Sequence, residues 1–110
     1  MDLALKALAE PRRRAILQLV RGGELSSGEI AAQFDVSGPA ISQHLGVLRE
    51  AGLVSERRAG TRRLYRARPE GLTDVLAFVE GFWDDRLSRL RDVAEHDQRR
   101  KDEAEGNRHA

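Results

Sequence analysis

The segment "VSGPAISQHLGVLREAGLV", residues 36–54, holds the side chains with the most chemistry to offer. Ile41, Leu45 and Leu48 recur at spacings of four and three, which predicts one buried face of a helix. The opposite face is then free to carry small and hydrogen-bonding residues that can contact base edges in a DNA groove. The candidates for DNA contact on this helix are Ser37, Gly38, Pro39, Ser42, Gln43, His44 and Arg49.

His44 has two competing interpretations. An imidazole at this position could reach a phosphate or read a base. Its place one residue from the apolar stripe of Leu45 and Leu48 favours packing and hydrogen bonding within the protein instead. Exposed polar residues on a helix are also often only solvated, so this helix alone leaves both interpretations open.

An arginine-rich segment follows the helix. Residues 57–68 contain six arginines and no acid, although the net charge of the whole chain is only +1. Two strand-like runs, 53–59 and 62–68, flank Ala59-Gly60-Thr61 and predict a β-hairpin. Such a basic hairpin can contact phosphates or the minor groove. The candidates on this wing are Arg57, Arg58, Thr61, Arg62, Arg63 and Tyr65.

Catalytic chemistry has little support in this sequence. There is no cysteine, and the three histidines are dispersed along the chain. Asp84 and Asp85 are adjacent on a predicted helix and therefore point in different directions, whereas paired catalytic carboxylates must converge in a pocket. We therefore expect that the protein is not an enzyme.

The elements that position the candidate residues can be read from caps and breakers. A helix is predicted from an Asp2 cap, a second begins at Pro11 and ends at Gly22-Gly23, and a third runs from a capping box at Ser26 to about Phe34. Ser37 caps the fourth helix, and Gly52 ends it in the left-handed conformation. A long helix begins at about Glu70, after the hairpin.

This order predicts a mainly α protein with a small β-hairpin, namely a winged helix-turn-helix with five helices and a two-stranded wing. We expect residues 1–97 to form one DNA-binding and dimerisation domain, followed by a polar, disordered tail over 98–110.

The first and last helices carry more apolar residues than one small domain needs, and we expect them to form a homodimer interface. A single domain of this size offers about four to six phosphate contacts, whereas two copies engage half-sites about 34–36 Å apart. The aromatic residues of the last helix could alternatively line an effector pocket. The predicted interface residues are Leu3, Leu5, Leu8, Leu72, Val75, Leu76, Val79, Phe82, Trp83, Leu87 and Leu90.

Three segments, "ALAEPRRRAILQLV", "GEIAAQFDVSGPAISQHLGVLREAGLV" and "RRAGTRRLYRA", resemble the ArsR/SmtB family of bacterial winged-helix repressors. The resemblance covers roughly residues 5–90 and implies a dimer that represses transcription from an inverted-repeat operator. It also implies that Gly38, Pro39, Ser42 and Gln43 contact DNA. Gly38 is a departure, because relatives often carry a glutamine side chain there.

The metal sites of this family are not expected here. The resemblance places Ser26 and Gly28 at the positions of the family's cysteine pair, and neither is a useful ligand for a soft metal. The zinc site of the last helix would need histidines near Asp84, whereas this chain has His96 and His109 in its polar end. Asp92 with His96 is the weak remaining metal candidate, so we expect a metal-free branch with no cofactor.

No apolar run is long enough to span a bilayer, and the N-terminus has no signal-peptide pattern, so we expect a soluble cytoplasmic protein with no membrane partner. Double-stranded DNA and a second copy of the chain are the expected partners, and the small-molecule effector is unknown. The alternatives are a protein-interaction module with a winged fold and an architectural, nonspecific DNA-binding module.

Overall fold

Four helices precede the hairpin, and they begin close to the caps and prolines in the sequence. The computed structural model describes the backbone of residues 1–109 and the side chains of residues 1–84 and 89–98. The four helices are α1 (Asp2–Leu8), α2 (Pro11–Arg21), α3 (Ser27–Ala31) and α4 (Gly38–Glu50).

The capping interactions explain these starting points. The backbone N–H of Glu29 donates to Ser26 Oγ at 3.1 Å, and the Ser26 N–H donates to Glu29 Oε1 at 3.0 Å, which confirms the predicted capping box of α3. Ser37 Oγ accepts from the Ala40 N–H at 3.2 Å at the start of α4. Two details differ from prediction: Met1 rather than Asp2 is the N-cap of α1, and α3 ends at Ala31 rather than near residue 34.

The sheet has three antiparallel strands, β1 (Leu25–Ser26), β2 (Val54–Ala59) and β3 (Arg62–Ala67), in the order β1-β3-β2. The predicted hairpin is confirmed, with Gly60 at φ +65° in its turn. β1 is an addition to the predicted two-stranded wing. Its two residues are too few to show the alternation by which strands are recognised in a sequence.

Pro69 ends the hairpin and opens a 3₁₀ turn over Pro69–Leu72, so α5 (Thr73–His109) begins three residues later than the predicted start near Glu70. The backbone of α5 continues through the segment for which a disordered tail is predicted. Residues 99–110 lie outside the part of the chain whose side chains are described. The chain divides into two compact units, 1–75 and 76–110, and each is treated by itself.

The core of the first unit is built from one face of each element. Ile41, Leu45 and Leu48 of α4 are at most 1% exposed, which confirms the predicted apolar stripe. Burying an aliphatic side chain of this size stabilises the fold by about 1.5–3 kcal/mol. The other buried core residues are Ala4, Ala7, Ile16, Val20, Ile30, Leu53, Val54 and Tyr65. Among the described residues, no helix combines the length and apolar character needed to cross a membrane.

The residues predicted at a dimer interface fall into two groups. Leu8, Leu72 and Val75 are half-buried and pack against the core of their own chain. The second group leaves its apolar side chains exposed on the single chain. Phe78, which is not among the predicted interface residues, is also exposed, and its ring centroid lies 5.2 Å from that of Phe82. The exposed group comprises Leu3, Leu5, Leu76, Val79, Phe82, Trp83 and Leu90, whereas the side chain of Leu87 lies outside the described part.

Candidate nucleic-acid interface

Helix α4 is held by its buried face, and this leaves a polar face open. Pro39 lies in its first turn, where the missing N–H of proline removes no helical hydrogen bond. At the other end Gly52 has φ +75°, and the Leu53 N–H donates to the Leu48 carbonyl at 2.9 Å, a Schellman-type bond that ends the helix. The exposed candidates on and before α4 are Ser37, Gly38, Pro39, Ser42, Gln43 and Arg49.

His44 lies on a different side of α4 from these residues. Its ring is half-buried, and its Nδ1 is 3.4 Å from Arg13 Nη1. Arg13 is itself held by the carbonyls of Ala7 at 2.8 Å and Lys6 at 3.1 Å, near the end of α1. This surrounding favours the packing interpretation of His44 over contact with DNA.

The wing presents its arginines around an exposed turn. Arg57, Arg58, Arg62 and Arg63 are all exposed, and so is Thr61 within the turn. The end of the hairpin is tied to the end of α4, because Arg68 Nη1 donates to the Gly52 carbonyl at 3.2 Å. The wing and the exposed face of α4 therefore belong to the same compact unit, as a bipartite DNA surface requires.

Tyr65 differs from the other wing candidates. It is only 7% exposed and belongs to the core cluster, so it supports the wing from inside and does not form its outer surface. The reason is that successive side chains of a strand point to opposite faces of the sheet. Tyr65 points to the core, whereas its neighbour Leu64 is partly exposed and its neighbour Arg66 is exposed.

Four of the candidate arginines form ion pairs with glutamate side chains. Arg49 Nη1 lies 2.6 Å from Glu56 Oε2, and Arg63 Nη1 lies 3.6 Å from Glu56 Oε1. The other two pairs join residues 33 positions apart, Arg57 with Glu24 at 2.6 Å and Arg62 with Glu29 at 2.5 Å. No local spacing in the sequence could signal the two distant pairs, because the fold alone brings them together.

The electrostatics of this surface shift two pKa values. Hydrogen bonds from the backbone and side chain of Ser26 lower the pKa of Glu29, and the adjacent Arg62 guanidinium contributes to the same effect. Desolvation raises the pKa of Tyr65, and the negative charge of Glu56 beside its hydroxyl adds to the rise. Glu29 is thus held ionised and Tyr65 neutral at physiological pH.

The described residues include no group of three or more histidine, cysteine or acidic side chains that could hold a metal ion. Ser26, at one cysteine position of the family's metal site, is 8% exposed and uses its hydroxyl to cap α3. The side chains of Asp85 and His109, which the sequence analysis considered as metal ligands or catalytic groups, lie outside the described part of the chain.

Helices α3 and α4 form a helix-turn-helix pair, and the second helix of the pair exposes a polar face. This pair with a basic hairpin in the same compact unit defines a winged helix-turn-helix protein. The profile of the bacterial regulatory protein, arsR family, matches residues 10–56. The chain is 48% identical over 82 residues to HTH-type transcriptional regulator Rv2034 of Mycobacterium tuberculosis, which covers 74% of this chain and 77% of that protein. The chain belongs to the ArsR family of bacterial transcriptional regulators.

Two further comparisons describe its neighbours in the family. The chain is 37% identical over 82 residues to transcriptional repressor SdpR of Bacillus subtilis, covering 74% of this chain and 91% of that protein. It is also similar to the solution NMR structure of the homodimeric winged helix-turn-helix DNA-binding domain of Mb0332 from Mycobacterium bovis. The TM-score is 0.61 at 36% identity, and the match covers 76% of this chain and 78% of that one.

Proposed function

We propose that this regulator is a sequence-specific transcriptional repressor that binds an inverted-repeat operator as a homodimer. The observation that carries the proposal is the division of α4 between two faces. Ile41, Leu45 and Leu48 are buried, while Ser42 and Gln43 on the other face are exposed. Exposed amide and hydroxyl groups on such a helix can hydrogen-bond base edges in the major groove.

The wing supports a separate contribution to DNA binding. Its arginines flank an exposed turn and suit contact with phosphates, which carry no sequence information but give affinity. Helix α4 then provides the choice of sequence. An interaction module that had lost DNA binding would have no need of a basic wing, and an architectural protein would have no need of the polar face of α4.

The exposed apolar residues of α1 and α5 support a homodimer. Leu3 is 60% exposed, Phe82 68% and Trp83 49% on the single chain, so a second copy can bury large apolar side chains. Two copies also give two recognition helices, and a two-fold dimer matches a two-fold operator. The homodimeric domain of Mb0332 and the repressor SdpR support this proposal by similarity.

Sequence specificity can be tested by measuring the affinity of the full chain for two duplexes by fluorescence anisotropy. One duplex is the DNA upstream of the regulator's own gene, and the other is a scrambled duplex of the same composition. The full chain is expected to prefer the upstream DNA at about 150 mM salt, where nonspecific binding is weak. Equal affinity for both duplexes contradicts a sequence-specific repressor and favours the architectural alternative. Absence of binding to either duplex favours a protein-interaction module.

Two substitutions separate the roles of helix and wing. Gln43→Ala should reduce the preference for the upstream DNA, at a cost of about 1–3 kcal/mol in discrimination at one base pair. Arg58→Ala should weaken binding to both duplexes equally and reduce the salt slope by about one. Gln18→Ala, an exposed glutamine on α2, is the matched control and should change neither property. A change of base preference by Arg58→Ala would contradict this assignment.

The proposal also includes independence from metal ions. DNA binding should be unchanged by a chelator and by micromolar zinc. Release of the duplex by zinc would show that a metal site exists despite the serine and glycine at the family's cysteine positions.

A further inference from the structure

Three carboxylates lie against the arginines of the candidate DNA surface. Glu24 contacts Arg57, Glu29 contacts Arg62, and Glu56 contacts both Arg49 and Arg63. The arginine-rich segment 57–68 contains no acid of its own, so these carboxylates come from the loop before β1, from α3 and from β2. The fold thus neutralises much of a charge that the sequence presents as unopposed.

The carboxylates are less exposed than the arginines that they hold. The Glu56 side chain is 18% exposed and the Glu24 side chain 29%, whereas the side chains of Arg49 and Arg57 are 52% and 60% exposed. The difference is smaller in the third pair, with Glu29 at 50% and Arg62 at 59%. Glu29 is fixed further by the capping box of α3, because its Oε1 accepts from both the Ser26 N–H and Arg62 Nη2. Because the arginine side chains are the more exposed partners, their guanidinium groups are the ones that DNA phosphates can reach.

A guanidinium held by a carboxylate must leave it, fully or in part, to donate to a phosphate. The released carboxylate then takes up a cation from solution, which offsets part of the counterion release that drives DNA binding. We propose that Glu24, Glu29 and Glu56 set the strength of DNA binding by competing with phosphates for Arg49, Arg57, Arg62 and Arg63. This inference rests on the proposed function, since it assigns a role to residues behind the same DNA surface.

The competition acts on the arginines that contact phosphates and leaves Ser42 and Gln43, the candidates on α4 for contact with bases, unchanged. Removing one carboxylate charge should therefore tighten binding to every duplex while the preference between sequences stays the same. An exposed ion pair opposes its rupture by a modest amount, which corresponds to about a two- to fivefold change in affinity for each pair. The salt slope should become steeper by up to about one for each carboxylate removed.

The three substitutions to glutamine preserve size and most hydrogen bonding. Glu29→Gln is the cleanest, because glutamine also satisfies the capping box at this position. Glu24→Gln and Glu56→Gln remove the other two charges, and the triple variant combines them. Glu50→Gln is the matched control: it removes one exposed negative charge from α4, and Glu50 has no ion pair with any residue in the described part of the chain.

The experiment measures anisotropy with the upstream and the scrambled duplex from about 50 to 300 mM salt. Each of the three variants should bind both duplexes about two- to fivefold more tightly at low salt than the wild-type chain, and the triple variant should have the steepest salt slope. Glu50→Gln should stay within about twofold of the wild type. Circular dichroism checks folding, and if Glu56→Gln does not fold, the same criterion applies to Glu24→Gln and Glu29→Gln.

Unchanged or weaker binding by these variants overturns the inference, and weaker binding would mean that the carboxylates orient the arginines for DNA. The two proposals fail separately. A wild-type chain that prefers the upstream duplex, with variants that do not tighten, contradicts the competition alone. If the wild-type chain binds both duplexes equally and the variants bind both more tightly, the result contradicts a sequence-specific repressor but supports the competition between carboxylates and phosphates.

Discussion

The close approach of Gly71 to Gly52 makes a quantitative prediction about stability. A Cβ atom added at Gly71 would lie 2.1 Å from the carbonyl oxygen of Gly52 and 2.8 Å from its carbonyl carbon. Both atoms belong to the backbone at the end of α4, so no side chain can rotate away to make room. Gly71→Ala must therefore separate the 3₁₀ turn at Pro69–Leu72 from the residue that ends α4.

The expected magnitude follows from this geometry. Carbon and oxygen atoms in ordinary contact are more than an ångström farther apart, and overpacking of this kind costs about 1–3 kcal/mol. For a domain of roughly 100 residues, each kcal/mol lowers Tm by about 4–8 °C. Gly71→Ala should therefore lower Tm by roughly 4–24 °C, even though alanine is a larger apolar residue in a partly buried place.

Gly46→Ala is the matched control, with the same chemical change in an open place. Apart from its chain neighbours and the backbone of its own helix, no atom lies within 4 Å of a Cβ built at Gly46 in the middle of α4. Because alanine is a better helix former than glycine, this variant should be more stable than the wild type by about 0.5–1 kcal/mol. Thermal and urea unfolding followed by circular dichroism measure both variants, at one protein concentration because dimer stability depends on it.

A Gly71→Ala variant as stable as the wild type would refute this reasoning. It would mean that the 3₁₀ turn moves freely against the end of α4 and that the close approach constrains nothing. A destabilised Gly46→Ala variant would instead contradict the open space found around α4.

Further predictions concern the recognition helix, the wing and the dimer. Gly46→Ala should weaken DNA binding although it stabilises the fold, because the added methyl group lies on the same side of α4 as Ser42. Unchanged affinity for DNA would show that Gly46 lies away from the groove. The raised pKa of Tyr65 means that the folded chain favours the neutral phenol. The phenol therefore stabilises the fold below pH about 10, and this contribution is lost as the pH rises through the pKa of Tyr65 in the folded chain. The increase in absorbance near 295 nm with pH reports ionisation of this residue, because the chain has one tyrosine and its one tryptophan does not ionise in this range. A midpoint at or below that of a free phenol would contradict the shift. His44→Ala should lower stability without changing sequence preference, and an altered preference would show that the ring reads DNA. Trp83→Ala should raise the dimer dissociation constant in sedimentation experiments, and an unchanged constant would exclude Trp83 from the interface.

Much of the fold could be predicted because its signals are local. The capping box at Ser26, the cap at Ser37 and the left-handed Gly52 each depend on residues within a few positions of one another. The apolar stripe of α4, Ile41, Leu45 and Leu48, spans about two helical turns, so its buried face is equally predictable. The exposed candidates on that helix followed from the same pattern by geometry alone.

The features that escaped prediction depend on distant parts of the chain. Strand β1 exists because Leu25 pairs with Tyr65, 40 positions away, and not because of its own two residues. The contact of Gly71 with Gly52 involves two residues without side chains, so no pattern of polarity could indicate it. Tyr65 is buried because of the side of β3 on which it lies. The four arginines close to it in the sequence favour an exposed position for this residue, and so the sequence does not predict its burial.

Strand β1 also has a consequence for how DNA must adapt. Ser26 ends β1 and caps α3, and β1 pairs with β3 of the wing, so the wing is joined to the helix-turn-helix through the sheet itself. Arg68 adds a second connection between β3 and the end of α4. In the proposed complex these connections restrict the separation of helix and wing, so a duplex whose grooves do not match that separation is expected to bend or twist to meet both. Such deformation depends on base sequence, so the flexibility of base steps that the protein never touches becomes part of what it selects.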